Sequence, residues 1–293
     1  MKDFGKLLTA SITPFDNNGV LNTDTFWRLC RKLVHDKSDG LVLTGTTGES
    51  PNLTIKDREI IYSTAIDSVG NKANIIAGTG TYSTSETIEI TKMADSIGVD
   101  GIMIVTPYYS KPSQLGILKH FEEVSKITNL PIMAYNIPGR TSTLIELETL
   151  VSLVDDIGIH SIKDAVGNFE FSKKELETLK DRVDIYSGND NETIDFMKNG
   201  GKGVVSVASH VVGNEIYEMM ELVKDNDIAK ADKINDELLD LFQALFEEPS
   251  PGPIKKILSE SWEEVGEPLL PITDISTDLA NKIRGFYKKI KEK

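Results

Sequence analysis

The chain has 293 residues, 39% of them hydrophobic and 27% charged, which is enough apolar material to bury a sizeable core and excludes wholesale disorder. Its 32 basic against 46 acidic residues give a net charge of −14; this excludes nucleic acid and anionic membrane as main partners, because both need a basic footprint, and leaves small anionic substrates open. Cys30 is the only cysteine, so neither an internal disulfide nor a cysteine-based metal cluster can form, and a cytoplasmic, reducing compartment is expected.

Short runs rich in Ile and Val alternate with amphipathic stretches. The runs fall at 7–13, 40–45, 74–80, 101–107, 131–136, 160–165, 184–190 and 203–209. They are too short for helices, and most are nearly continuous in apolarity, as in parallel strands covered on both faces. Between them, Phe26, Leu29, Cys30, Leu33 and Val34 recur at helical spacing, and Leu147, Leu150, Val151 and Val154 do so again. Thr54 with Asp57 opens a helix as a capping box, and Gly98 stands where a helix ends. Nothing approaches the roughly 20 apolar residues of a spanning helix. The segment around Asp3 makes a poor signal peptide.

Eight strand–helix units predict an α/β fold, a (β/α)8 TIM barrel over residues 1–225. Residues 226–293 read as purely helical, through Leu238, Leu241, Phe242 and Leu245, then Ile254 to Trp262, then Leu279, Ile283, Phe286 and Ile290; they form a C-terminal helical appendage packed on the barrel. An open doubly wound sheet is the alternative, but even spacing of the units favours closure.

A barrel does its chemistry at the C-terminal ends of its strands. There the sequence places Gly45 to Ser50, Pro107-Tyr108-Tyr109, Tyr135-Asn136 with Arg140, Lys163, and Ser187 to Asp190. A lysine pointing into the mouth is desolvated, which favours its neutral form, and a neutral amine attacks a carbonyl to give a Schiff base. A solvent-facing lysine, or one paired with Asp164, is the other reading of Lys163. Tyr135, 28 residues upstream and hence on the neighbouring strand, is either a proton carrier or a barrel-filling tyrosine. Thr46 and Thr47 suit a carboxylate or belong to a helix-capping loop. Arg140 fits a carboxylate bidentately or is a surface arginine. Of Tyr108 and Tyr109, one is expected to pack and the other to face the mouth or a neighbouring subunit.

Other chemistries lack their residues. Gly78-Thr79-Gly80 does not continue to a dinucleotide fingerprint, Gly45 to Ser50 has no phosphate-binding lysine, and no GxSxG elbow occurs. His35, His120, His160 and His210 show no paired spacing, so no metal site is expected.

Taken in order, Thr9-Ala10, Thr13-Pro14-Phe15, GTTGES (45–50), AGTGT (77–81), TPYY (106–109), YNIPGRT (135–141), IKDA (162–165), YSGND (186–190) and GVVSV (203–207) resemble the dihydrodipicolinate synthase and N-acetylneuraminate lyase family of pyruvate-dependent class I aldolases, over nearly the whole chain. The first threonine of the turn, Thr46, where the lyases usually have Ser, and Arg140 are similar to the synthase branch. The resemblance implies that Lys163 forms a Schiff base with pyruvate. The derived enamine attacks L-aspartate 4-semialdehyde, giving 4-hydroxy-tetrahydrodipicolinate on the way to diaminopimelate and lysine. The alternative is a sibling lyase of sialic acid or 2-keto-3-deoxy sugar acids.

It further implies that Thr46, Tyr109 and Tyr135 relay protons, Tyr109 crossing from a neighbouring subunit. Thr47 holds the pyruvate carboxylate, Arg140 the second carboxylate, and Gly188 and Val205 present backbone to the substrate. No cofactor is implied, and the assembly is a homodimer or a homotetramer made of two dimers. Ser161, Val166 and the Ser250–Lys255 segment depart from the family pattern. Where lysine-inhibited members carry polar groups, this chain has Ile55, Arg58 and Tyr82 beside matching Glu86 and Tyr108, so weak or absent feedback by lysine is expected.

Overall fold

A computed structural model describes residues 2–292; Met1 and Lys293, the outer ends of the two regions anticipated above, lie outside the described residues. The chain runs β1 (Leu7–Ala10), α1 (Thr23–His35), β2 (Gly40–Leu43), α2 (Ile55–Val69), β3 (Asn74–Gly78), α3 (Thr84–Ile97), β4 (Gly101–Val105) and α4 (Gln114–Ser125). It continues through β5 (Ile132–Asn136), α5 (Pro138–Thr141), α6 (Leu147–Ser152), β6 (Ser161–Asp164), α7 (Phe169–Leu179), β7 (Asp184–Ser187), α8 (Thr193–Lys198), β8 (Gly203–Ser206) and α9 (Ser209–Lys224). The last helices are α10 (Ile228–Ala244), α11 (Gly252–Ser261) and α12 (Thr277–Lys291).

The eight strands are parallel, each pairs with the next, and β8 pairs with β1 through Leu8 opposite Val205, so the sheet is a closed barrel rather than an open doubly wound sheet. Almost every strand residue is buried, as expected when side chains on one face fill the barrel and those on the other meet helices. The strands are shorter than the apolar runs that announce them. Their C-terminal residues, such as Thr44-Gly45 and Thr79-Gly80, have left the sheet and form the rim.

Local chemistry sets the helix ends. The Asn22 side chain accepts from the Thr25 N–H at the start of α1, and Phe26, Leu29, Cys30 and Leu33 face the core. Thr54 and Asp57 form a reciprocal capping box on α2, and Gly98 closes α3 at φ 90°, in the left-handed region glycine enters without strain.

Two expectations are modified. The stripe Leu147 to Val154 does not form one α-helix: after Ser152 the backbone widens into a π-turn, Leu153–Ile157, which ends at Gly158 with φ 77°. The C-terminal region is not purely helical, because an irregular strap from about Trp262 to Ser276 separates α11 from α12. Pro268 and Pro271 lie in it, and proline lacks the N–H that a helix requires.

Barrel closure depends on a close approach at Gly203. A Cβ there would drive into the Lys6 carbonyl oxygen, which accepts the Val204 N–H at 2.9 Å. Backbone atoms cannot rotate away. Gly203→Ala is expected to lose about 1–3 kcal/mol of stability, read as a lowered thermal midpoint, whereas an alanine at Gly139, where a Cβ meets nothing, leaves the midpoint unchanged.

Candidate active site

Lys163 is on β6, opposite Tyr135 on β5 and Tyr186 on β7. It is only 5% exposed, and its Nζ lies 4.1 Å from the centroid of the Tyr135 ring. The ring face is electron-rich and attracts an ammonium. Asp164, the next residue, points the other way because successive strand side chains alternate; its carboxylate accepts from the Val166 N–H at 2.7 Å and from Ser172 Oγ of α7 at 2.5 Å. Neither a solvent-facing lysine nor a Lys163–Asp164 pair is what the structure holds. Among the described residues no carboxylate forms an ion pair with Lys163. Gly188 makes room for its stem: a Cβ there would stand 2.7 Å from the Ala165 Cβ and 3.1 Å from Lys163 Cε.

A cavity of about 290 Å³ at this rim is lined by Thr46, Tyr108, Tyr135 and Arg140 together with Thr44, Gly45, Glu49, Ser50, Met103 and Ile137; Lys163 and Gly188 are not among its lining residues, and Lys163 adjoins it through the Tyr135 ring. The Tyr135 hydroxyl forms no hydrogen bond to another described protein group. Arg140 is exposed in α5 and turns into the cavity from its edge. Thr47 is buried beside Thr46 but does not line the cavity, and Val205 is buried on β8 away from its wall. Tyr109 is not brought into this chain's own site: it is 93% exposed, with φ 71°. Tyr108 is half-buried and meets the Tyr82 ring edge-on at 5.6 Å; burial, with Glu86 nearby, raises its phenol.

The rim is held by buried polar ties. The Gly78 carbonyl accepts from Thr44 Oγ1 at 2.9 Å, Tyr62 Oη at 3.2 Å and Arg58 Nη1 at 3.0 Å. Arg58 Nη2 also donates to Ser50 O at 2.8 Å and Ser50 Oγ at 2.7 Å. Thr44, Glu49, Tyr109 and Ser142 all have φ between 51° and 71°, a costly region for residues with a Cβ. On the far side, Asp190 is buried under β8 and accepts from Ser206 Oγ and from the Val207 and Ala208 N–H groups. Burial raises its carboxyl, while these donors and the nearby Lys163 charge pull it back. His120 and His210 are pushed down to about 4 by burial and are neutral at physiological pH.

Three features of the site were not anticipated. Arg58 is buried and spent on the rim rather than displayed toward an effector. Glu49 lines the cavity through the same turn as Thr46. Ser250, Pro251, Pro271 and Ile272 of the C-terminal region form part of the wall, and no local pattern in the sequence places them there. Among the described residues, no group of three or more His, Cys, Asp or Glu is arranged to hold a metal ion, and no helix is long and apolar enough to cross a membrane.

Comparison with known proteins adds three findings. The model of the dihydrodipicolinate synthetase family matches residues 3–290. The chain is 43% identical over 287 residues to a 4-hydroxy-tetrahydrodipicolinate synthase of Desulforudis audaxviator, covering 98% of each, and 43% identical over 285 residues to that of Thermosynechococcus vestitus, covering 97% of this chain and 96% of the other. Among solved structures it is similar to a dihydrodipicolinate synthase from Bacillus anthracis (TM-score 0.95, 38% identity, 98% of this chain and 99% of that one) and to one from Cyanidioschyzon merolae with lysine bound (TM-score 0.96, 37% identity, 98% of each).

Behind the Lys163 strand, the Glu175 side chain is buried against Asp164, and neither of its oxygens meets a donor. A proton kept on Glu175 and donated to Asp164 satisfies both groups, and burial together with the Asp164 charge raises the Glu175 carboxyl well above its usual 4.5. The folded chain therefore binds this proton more tightly than the unfolded chain. The stabilisation is full below the unfolded value and is lost as pH rises through the folded one. Glu175→Gln, which donates without ionising, is expected to match the parent near pH 4 and to exceed it by about 1–3 kcal/mol at pH 8, measured by urea unfolding at both pH values.

Proposed function

The chain belongs to the dihydrodipicolinate synthetase family, and from that premise we propose that it condenses pyruvate with L-aspartate 4-semialdehyde through a Schiff base on Lys163, giving 4-hydroxy-tetrahydrodipicolinate. The observation that carries the role of Lys163 is a buried amine, unpaired with any described carboxylate, held 4.1 Å over the Tyr135 ring at the barrel mouth. The relatives reported above bear the synthase name, which favours this reaction over the cleavage of sialic acid or of 2-keto-3-deoxy sugar acids.

The Lys163 amine adds to the ketone of pyruvate, and loss of water leaves an iminium. Its nitrogen draws electrons from the methyl carbon, which releases a proton and becomes the nucleophilic end of an enamine. That carbon bonds to the aldehyde carbon of the semialdehyde, whose oxygen gains a proton. The amine of the second substrate then displaces Lys163 and closes the ring. Proton movements fall to Tyr135, with its uncommitted hydroxyl, to Thr46, and to Tyr109 of a second copy, since Tyr109 of the same chain projects outward. Thr47 receives the pyruvate carboxylate, and Arg140 receives that of the semialdehyde. Gly188 and Val205 present backbone on the β7–β8 side.

Residues 1–225 carry this chemistry and 226–293 cap it, in a cytoplasmic homodimer or a homotetramer of two dimers. Feedback by lysine is weak or absent, because Ile55 offers no hydrogen bond and the Arg58 guanidinium is buried and already committed to Gly78 and Ser50.

Borohydride reduction in the presence of pyruvate should add a stable mass to the peptide containing Lys163. Lys163→Ala should abolish both the adduct and turnover; a labelled peptide without Lys163 would overturn the assignment. Tyr135→Phe is expected to lose roughly 10²- to 10⁴-fold in kcat while still binding pyruvate. Arg140→Ala should raise KM for the semialdehyde and leave that for pyruvate unchanged. Activity should persist at millimolar L-lysine.

A further inference from the structure

The turn that carries Thr46 and Thr47 is closed by two backbone bonds, Glu49 N–H to Thr46 O at 3.1 Å and Ser50 N–H to Gly45 O at 3.2 Å. Glu49 itself has φ 58° and ψ 38°, so the turn does not hold its shape by intrinsic preference. Its side chain is 2% exposed, and both of its described polar partners come from the C-terminal region. Lys255 Nζ of α11, 1% exposed, lies 2.7 Å from Glu49 Oε1, and the Leu269 N–H donates to Glu49 Oε2 at 2.7 Å. Lys255 in turn donates to the Glu267 carbonyl at 3.2 Å and stands 4.4 Å from the Phe15 ring centroid. Among the described ion pairs, it is the one with both side chains almost fully withdrawn from water. Its neighbours Ser250 and Pro251, with Pro271 and Ile272 of the strap, line the same cavity as Thr46, Tyr135 and Arg140.

We infer that the Glu49–Lys255 pair is a positioning device: it locks the C-terminal strap onto the Thr46–Thr47 turn, so that the region beyond the barrel sets the place of the groups that receive pyruvate. A buried pair of this kind is a poor source of stability, since both charges lose their water, but it fixes geometry, and leaving either partner alone is costly. Glu49 and Lys255 are not catalytic residues; they act through the turn. The inference rests on the role given above to Thr46 and Thr47.

The test separates geometry from stability. Glu49→Gln and Lys255→Met each strand one buried charge, and both should lower the melting temperature and raise KM for pyruvate. The double variant removes both charges while Gln still accepts the Leu269 N–H. It should melt above either single variant yet keep a KM for pyruvate raised roughly tenfold, since a small misplacement of binding groups is enough for that. A double variant whose KM returns to within twofold of the parent would show that the pair serves folding alone. A double variant that melts below either single, or fails to fold, would refute the claim that the two charges answer only each other. Both results overturn the inference while pyruvate trapping in the parent still succeeds. A parent that traps no pyruvate overturns the underlying reading, and the inference with it.

Discussion

A primary amine is kept almost fully buried with an aromatic face for its neighbour and no described carboxylate within ion-pair reach, and the rest of the barrel is arranged around that fact. The strand alternation that turns Lys163 inward sends Asp164 outward to Ser172 and Glu175. An acid one position away therefore cannot quench the amine, although in sequence it is the obvious partner. Charge is present at a distance: the Asp190 carboxylate feels Lys163, but it is occupied by Ser206 and two backbone donors. Asp164 and Asp190 are each held by donors of their own, and neither pairs with the amine.

The rim shows how a barrel fixes loops that local preference would not hold. Thr44 and Glu49 occupy left-handed backbone, which persists only where the surroundings over-determine it. Here the surroundings are buried hydrogen bonds that converge on Gly78 O from three side chains, and an arginine that bridges the end of β3 to Ser50. Buried polar groups are costly when unpaired, so each tie holds its neighbours in place. Asn136 does the same at the end of β5: its side chain both donates to and accepts from Ile145, pinning the loop that carries Arg140.

The C-terminal region then closes one side of the mouth. The parallel barrel leaves its catalytic rim open by construction, since strands end there and helices begin. The strap between α11 and α12 lies against that rim, with Phe15 N–H bonded to the Val265 carbonyl at 3.0 Å and Gly266 packed too close to the Phe15 backbone to tolerate a Cβ. Enclosure of this kind excludes water, which strengthens every electrostatic contact inside.

Much of this was legible in one dimension. Strand runs of fixed spacing imply parallel closure, because only crossover helices can join parallel neighbours. That closure brings residues at successive strand ends together, so Thr46, Tyr135, Arg140 and Lys163 could be gathered from their places in the rhythm alone. Local chemistry also gave the capping box at Thr54 and the helix end at Gly98, where a few adjacent atoms decide the outcome. What the sequence could not decide depends on atoms far apart in the chain. Which way Lys163 faces relative to Asp164, the burial of Arg58 against Gly78, the projection of Tyr109 away from its own site, and the meeting of Glu49 with Lys255 across some two hundred residues are settled by packing. Periodicity records which positions are buried; only the folded chain records what they are buried against.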